Sequence, residues 1–310
     1  MEKERVIIIG SGPAGITSAL YTARAQLNPL VIAGMQLGGQ ISITHEVENY
    51  PGFWSAEKTP TGPDLVDVMQ KQAESFGARF EFDEVTEVDF TSGPPFTVKT
   101  HGKTYQADGV IVTAGASPKH LNVPGEEEYV GRGVSYCGTC DGFFFRGKDV
   151  VVVGGGDSAM EEGLFLTKFA NKVEVVHRRD SLRAGVNLQE RARANEKISF
   201  VWDTVIEEIN GNGVVDHIKV KNTRTGEESV RQTDGVFIFI GHYPNSQFLA
   251  NQLAMDEQGY VITDERYRTN IPGVYAAGEI QDNHFRQIAT SVGQGCGAAM
   301  ELEKWLAEHE

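Results

Sequence analysis

What most restricts the fold of this 310-residue chain is a local order of elements that occurs twice. Val6-Ile-Ile-Ile9 is a continuous β-branched run, as expected of a strand buried on both faces of a parallel sheet. It leads into Gly10-Ser-Gly12-Pro13-Ala14-Gly15, a stretch of helical composition from Ile16 to Gln26, and a second strand at Leu30-Val-Ile32. The same order returns as Val150–Val153, Gly154-Gly155-Gly156-Asp157-Ser158-Ala159, a helix through about Phe169, and Val173–Val176. Glycines at this spacing allow a tight turn, the approach of backbone N–H groups to a pyrophosphate, and close packing of helix on strand. Two such units predict an α/β protein with two Rossmann-like dinucleotide-binding domains.

Two Gly/Pro-containing crossovers flank the second unit. One is Ala116–Gly125, after a strand at Val110–Val112; the other is Gly241-His-Tyr-Pro-Asn245, after a strand from Gly235 to Ile240. Beyond the second lie a strand ending in small residues, Val274–Gly278, and a final helix from about Gly293 to Ala307. That tail is too short to form a domain. It is expected to return to the first one, giving a discontinuous domain of residues 1–117 and 246–310 with residues 118–245 inserted.

The net charge of −15 argues against nucleic acid or anionic lipid as a partner. No apolar stretch approaches membrane-spanning length and the first residues do not read as a signal peptide, so a cytoplasmic location is expected. Three cysteines cannot make a disulfide scaffold, and a Cys-x-x-Cys pair in a reducing compartment points to redox or metal chemistry.

The pair is Cys137-Gly-Thr-Cys140, followed by Asp141. Two intervening residues let the sulfurs close a small disulfide, and Asp141 is placed to take or give a proton, a role served by a raised pKa. A zinc site lacks its other ligands, since Cys296 stands alone among small residues and the histidines show no ligand spacing. Two buried structural thiols would be an odd choice beside an aspartate. The run Phe143–Phe145 reads equally as core or as a docking patch. After the second fingerprint, His177-Arg178-Arg179-Asp180-Ser-Leu-Arg183 sets three arginines where a ribose-binding carboxylate would otherwise stand. That suits the 2′-phosphate of NADPH, the alternative being a solvated basic loop. The first fingerprint has no carboxylate either, its second strand ending at Ile32-Ala33-Gly34.

Along nearly its whole length the chain resembles the low-molecular-weight thioredoxin reductases. Further matching motifs are Gly38-Gly39-Gln40, Glu46–Gly52, Gly131–Phe145, Gly241–Asn245 and Arg286-Gln287-Ile288-Ala-Thr290. The resemblance implies a homodimer with an FAD domain and an inserted NADPH domain that carries the disulfide. It assigns Gly10, Gly12, Pro13, Ala14, Gly15, Ala33, Gly34, Gly38, Gly39, Gln40, Asn49, Gly115, Gly278, Glu279, Arg286, Gln287 and Ile288 to FAD. Gly155, Gly156, Asp157, Ser158, Ala159, His177, Arg178, Arg179 and Arg183 go to NADPH. Catalysis falls to Cys137, Cys140 and Asp141, in a relay from NADPH through flavin to the disulfide and on to thioredoxin or a thioredoxin-like protein, with the inserted domain rotating between two poses. Cys140 would lie nearer the flavin, and which thiol attacks the partner stays open.

The chain departs from that pattern at three places. Gly278-Glu279 replaces Gly-Asp, Thr113-Ala-Gly115 replaces Ala-Thr-Gly, and Gly138 stands for a more usual alanine between the cysteines. Alternative readings are a reductase of another thiol carrier on the same scaffold and a nucleotide-binding redox sensor without turnover. A ferredoxin–NADP reductase would lack the cysteine pair, and a ferredoxin-fed enzyme would lack the three arginines.

Overall fold

The computed structural model describes residues 1–44, 46–57 and 60–309. The chain divides into two compact units, Met1–Ser117 with Tyr243–Glu310, and Pro118–His242. The first segment runs β1 (Glu2–Ile9), α1 (Pro13–Arg24), β2 (Leu30–Ile32), α2 (Gly62–Ser75), β3 (Arg79–Glu81), β4 (Val85–Asp89), β5 (Phe96–Thr100) and β6 (Thr104–Val112). A crossover strand, β7 (Ala116–Pro118), leads to β8 (Val134–Ser135), α3 (Gly138–Asp141), β9 (Asp149–Val153), α4 (Asp157–Leu166), β10 (Lys172–Val176), α5 (Val186–Ala194) and β11 (Ile198–Val201). Then come β12 (Thr204–Gly211), β13 (Val215–Asn222), β14 (Glu228–Gln232), β15 (Gly235–Ile238), the return crossover β16 (His242–Pro244), β17 (Val274–Ala276) and α6 (Ile288–Glu308).

In the first unit the sheet order is β3-β2-β1-β6-β5-β4, with β17 also on β6. The long strand β6 is the branch point. Thr104–Ala107 pair antiparallel with β5, and Val110–Val112 pair parallel with β17. Val6–Ile9 are buried because helices and sheet cover both faces, whereas Glu2 and Lys3 extend the same strand into solvent along Tyr105 and Gln106. The tail does return to this unit: α6 packs on α1, where the buried Ser18 hydroxyl donates to the Gly295 carbonyl at 3.0 Å.

The second unit has a parallel sheet ordered β11-β10-β9-β15-β8 and a three-stranded antiparallel sheet β12-β13-β14. Val150–Val153 are all buried, and burying each valine contributes roughly 1.5–3 kcal/mol. The fold is thus α/β with two Rossmann-type units, the second inserted into the first, as the repeated grammar implies.

The helix ends differ from those read in the sequence. α6 starts at Ile288, ahead of Gly293, because Gln287 and Thr290 cap it reciprocally. Gln287 is not a usual capping residue, and the β-branched Ile288, Thr290 and Val292 disguise the first turn. α4 stops at Leu166, with only turns continuing to Phe169. β15 stops at Ile238, although the Phe239 N–H still donates to the Val153 carbonyl at 2.8 Å.

Candidate active site

Cys137 and Cys140 are joined as a disulfide across the short helix α3, with Cα atoms 5.3 Å apart. Cys137 caps that helix, and the Cys140 N–H points at its sulfur from 3.1 Å. On reduction, this amide is a ready donor to a thiolate at Cys137. Asp141 accepts a 2.6 Å hydrogen bond from the buried Ser135 hydroxyl, and the same hydroxyl oxygen accepts from the Cys137 N–H at 3.1 Å. Ser135 therefore ties the aspartate to the backbone of the first cysteine. Glu162, on α4, lies on the other side of the turn. Its carboxylate accepts from the Thr139 N–H at 2.9 Å and from the Thr139 hydroxyl at 3.3 Å.

The phenylalanine run divides between the two readings. Phe145 is buried edge-on against Phe237, with ring centroids 4.9 Å apart. Phe143 is 47 % exposed and carries the Arg146 guanidinium over its ring at 4.9 Å. Cys296 is half-buried on α6, away from the pair in sequence and in a different unit.

At the second fingerprint, Gly156 caps α4, and a side chain there would meet nothing within 4 Å, which leaves room for a ligand group. His177 closes over Gly155 so tightly that a Cβ would lie 2.3 Å from its ring. Burial holds the His177 pKa below the usual value, and its buried Nε2 has no hydrogen-bond partner among the described residues. Asp157 is committed locally, accepting from the Gly185 N–H at 2.7 Å, while the Arg183 and Ala184 amides both donate to the Gly155 carbonyl. These bonds fold the 183–185 loop back onto the glycine turn. Arg178, Arg179 and Arg183 are exposed, and none has an ion pair among the described residues.

At the first fingerprint, Gly10 adopts φ +108°, which strongly favours glycine, and a Cβ on Gly15 would sit 2.0 Å from the Gly10 carbonyl oxygen. Around Gly12 there is open space. The Thr113 hydroxyl braces this turn by donating to the Ile9 and Gly10 carbonyls at 3.0 and 2.9 Å. The shifted threonine thus has a structural task of its own. Ser11 connects the turn to the next segment by donating to the Ala33 carbonyl at 2.7 Å and accepting from the Gly38 N–H at 3.2 Å.

Gln40 bonds the Ala116 carbonyl and approaches a Glu279 carboxylate oxygen at 3.4 Å, while Asn49 donates to Gln287 at 3.2 Å. Arg286 sits at φ +52° in a loop held by the buried Asp282, which accepts from the His284 and Phe285 amides. The structure therefore joins Gln40 to Glu279 and Asn49 to Gln287, each across more than two hundred residues of sequence. Pro13 and Ala14 start α1, Ile288 starts α6, and the Gly278 N–H donates to Gln294 at 2.8 Å. Gly34, Gly39 and Gly115 all have positive φ.

Glu279 is nearly buried, and desolvation pushes its pKa up to about 7 against the opposing pull of the Arg286 guanidinium. The usual value is 4.5, so the folded apoprotein binds a proton between those limits that the unfolded chain has released. Stability from this group is therefore full below about 4.5 and is lost as pH rises to about 7, by on the order of 3 kcal/mol. Glu279→Gln is expected to flatten that slope. Thermal melting of wild-type and variant apoprotein across this range measures it, and parallel curves would exclude a buried ionisation at Glu279.

Ser135, Glu162, Asp282 and the bracing role of Thr113 were not legible in the sequence. Among the described residues no helix is long and apolar enough to cross a membrane.

Residues 4–295 match the family model described as pyridine nucleotide-disulphide oxidoreductase. The chain is 51 % identical over 306 residues to a thioredoxin reductase of Mycolicibacterium smegmatis, covering 98 % of this chain and 97 % of that protein. It is 49 % identical over 305 residues to a bifunctional thioredoxin reductase/thioredoxin of Mycobacterium leprae, covering 98 % of this chain and 66 % of that longer protein. The crystal structure of thioredoxin reductase from Streptococcus pyogenes superposes with a TM-score of 0.93 at 43 % identity, covering 99 % of each chain.

Proposed function

The chain belongs to the pyridine nucleotide-disulphide oxidoreductase family, and we propose that within it the protein is an NADPH-dependent, FAD-containing reductase of thioredoxin or a thioredoxin-like protein. The observation that carries this reading is the Cys137–Cys140 disulfide, set in the same unit as a fingerprint followed by three exposed arginines that have no ion-pair partner among the described residues. The relatives named thioredoxin reductase support it, and so does the Mycobacterium leprae relative, whose name joins a thioredoxin to the reductase.

The first unit fits FAD. The open space at Gly12, beside the close-packed Gly10 and Gly15, suits a pyrophosphate, and Gln40, Asn49, Glu279 and Gln287 form a polar set for the ribityl and flavin end. The second unit fits NADPH. Gly155, Gly156, Ser158 and Ala159 form the pyrophosphate turn, Asp157 holds the neighbouring loop, His177 offers an Nε2 without a partner among the described residues, and the three guanidiniums suit a 2′-phosphate. When bound, the flavin supplies the two-electron coupling between a hydride donor and a disulfide.

The chain's own residues manage sulfur and protons. Reduction breaks the Cys137–Cys140 bond with two electrons and two protons, and Asp141, steadied by Ser135, is the group placed to deliver or remove one of them. One thiolate then attacks the partner's disulfide, forming a mixed disulfide and releasing one partner thiol; the other cysteine attacks that mixed disulfide, releasing the second partner thiol as the Cys137–Cys140 bond is restored. The Cys140 amide favours charge on Cys137. The exposed Phe143, stacked under Arg146, is the part of the aromatic run offered to a protein partner. The protein works as a cytoplasmic homodimer.

NADPH consumption by the flavin-loaded protein is expected to accelerate at least about a hundredfold when oxidised thioredoxin is added. A flavin that stays oxidised in NADPH, or an unchanged rate with thioredoxin, would leave the redox-sensor reading in its place.

A further inference from the structure

We propose that Glu162 is the positioning residue of the redox turn: its carboxylate accepts the Thr139 N–H, fills the space beside Gly138, and so keeps the backbone between the two cysteines in the shape that closes the disulfide. This rests on reading Cys137 and Cys140 as the working pair.

The two residues between the sulfurs are the ones Glu162 addresses. It takes the Thr139 N–H at 2.9 Å and lies within reach of the Thr139 hydroxyl. A Cβ built on Gly138 would fall 2.4 Å from a Glu162 carboxylate oxygen and 3.4 Å from the Phe239 ring. The carboxylate thus stands where the family's more usual alanine would place its methyl group.

Glu162 is half-buried, with no ion-pair partner among the described residues, and burial pushes its pKa up while the Thr139 and Gly138 amides pull it down. A carboxylate withdrawn from water, without a cation and turned onto two amides, is poorly explained by helix packing alone. It is well explained if those amides must be held.

In the disulfide the turn is constrained by the S–S bond as well as by Glu162. In the dithiol the S–S bond is gone, and of the contacts that remain Glu162 is the one on Thr139, while Ser135 and the Cys140 N–H act at Cys137. Removing Glu162 frees the backbone of the open form more than that of the closed form. This makes the disulfide easier to reduce.

The test is the equilibrium of the flavin-loaded, full-length protein with dithiothreitol redox buffers, with free thiols trapped by alkylation and counted by mass. Glu162→Ala is expected to move the balance about tenfold toward dithiol, equivalent to about 30 mV for a two-electron couple. Glu162→Gln keeps an acceptor for the Thr139 N–H and is expected to stay within about twofold of wild type.

Gly138→Ala pushes the carboxylate off that amide, so it should shift the balance in the same direction as Glu162→Ala and add little in the double variant. Because it leaves α4 intact, it decides the matter even if Glu162→Ala folds poorly. An unmoved balance in Glu162→Ala, a glutamine variant that moves as far as alanine, or additive shifts in the double variant would each overturn the assignment. The measurement uses neither NADPH nor thioredoxin, so it stands apart from failure of the proposed turnover.

Discussion

Anaerobic titration with NADPH is expected to deliver two more electrons per active site to the wild-type protein than to Cys140→Ser. The wild type has two acceptors in series, the flavin and the Cys137–Cys140 disulfide. Serine at position 140 leaves the flavin alone, because a lone Cys137 thiol cannot store an electron pair without a partner sulfur. Following flavin absorbance, wild type should bleach only after the disulfide has filled, whereas the variant should bleach from the first additions. Thioredoxin reduction should fall by about a thousandfold or more, since no mixed disulfide can be resolved internally. Residue 140 is half-buried at the end of a four-residue helix, and serine is smaller than cysteine by little, so the fold and the flavin content should persist. Equal uptake by both proteins would mean that the cysteines lie off the electron path.

What could be read from the sequence was local. The glycine turns, the three arginines and the cysteine pair each lie within a few consecutive residues, so composition and spacing reveal them. Glu162 escaped because its partner Thr139 is 23 positions away, and a glutamate in a Glu-Glu pair on a helix reads as a solvated residue. Ser135 escaped for a different reason. Its hydroxyl works only when β8 ends and α3 begins at the observed angle, and that angle is not encoded in the two letters between them. The Gln40–Glu279 and Asn49–Gln287 pairs span 239 and 238 positions and exist only because α6 returns to α1. Thr113 shows in the sequence only as a hydroxyl displaced by one residue, and the structure places it against the carbonyls of Ile9 and Gly10, where β6 meets the end of β1. The antiparallel strands β4 and β5 and the sheet β12-β13-β14 left no comparable signal in the sequence reading. Their charged alternations, such as Lys219 and Lys221 both paired with Glu228, look like any solvated surface.

The second large effect concerns the choice of nucleotide. Replacing Arg178, Arg179 and Arg183 together by alanine is expected to lower kcat/KM for NADPH by about 10²–10³-fold while changing that for NADH less than about threefold. Each charge-assisted hydrogen bond to phosphate contributes about 1.5–3 kcal/mol in a sheltered site and less when exposed, so three exposed groups acting on one dianion reach about 3–4 kcal/mol. The loss should be confined to ligands with a 2′-phosphate, because the glycine turn at Gly154–Ala159, proposed above to hold the pyrophosphate, is untouched. Folding should also be spared. The backbone bonds of this loop run from the Asp203 N–H to the Arg179 carbonyl and from the Arg183 N–H to the Gly155 carbonyl, and neither needs a guanidinium. The wild-type preference for NADPH should weaken as ionic strength rises, since exposed charges are screened within about 8–10 Å at physiological salt, and the triple variant should lose that salt dependence. Steady-state rates with both nucleotides at two salt concentrations measure this. A variant that lost NADPH and NADH activity alike would place these arginines in the support of the loop and not in the recognition of the extra phosphate.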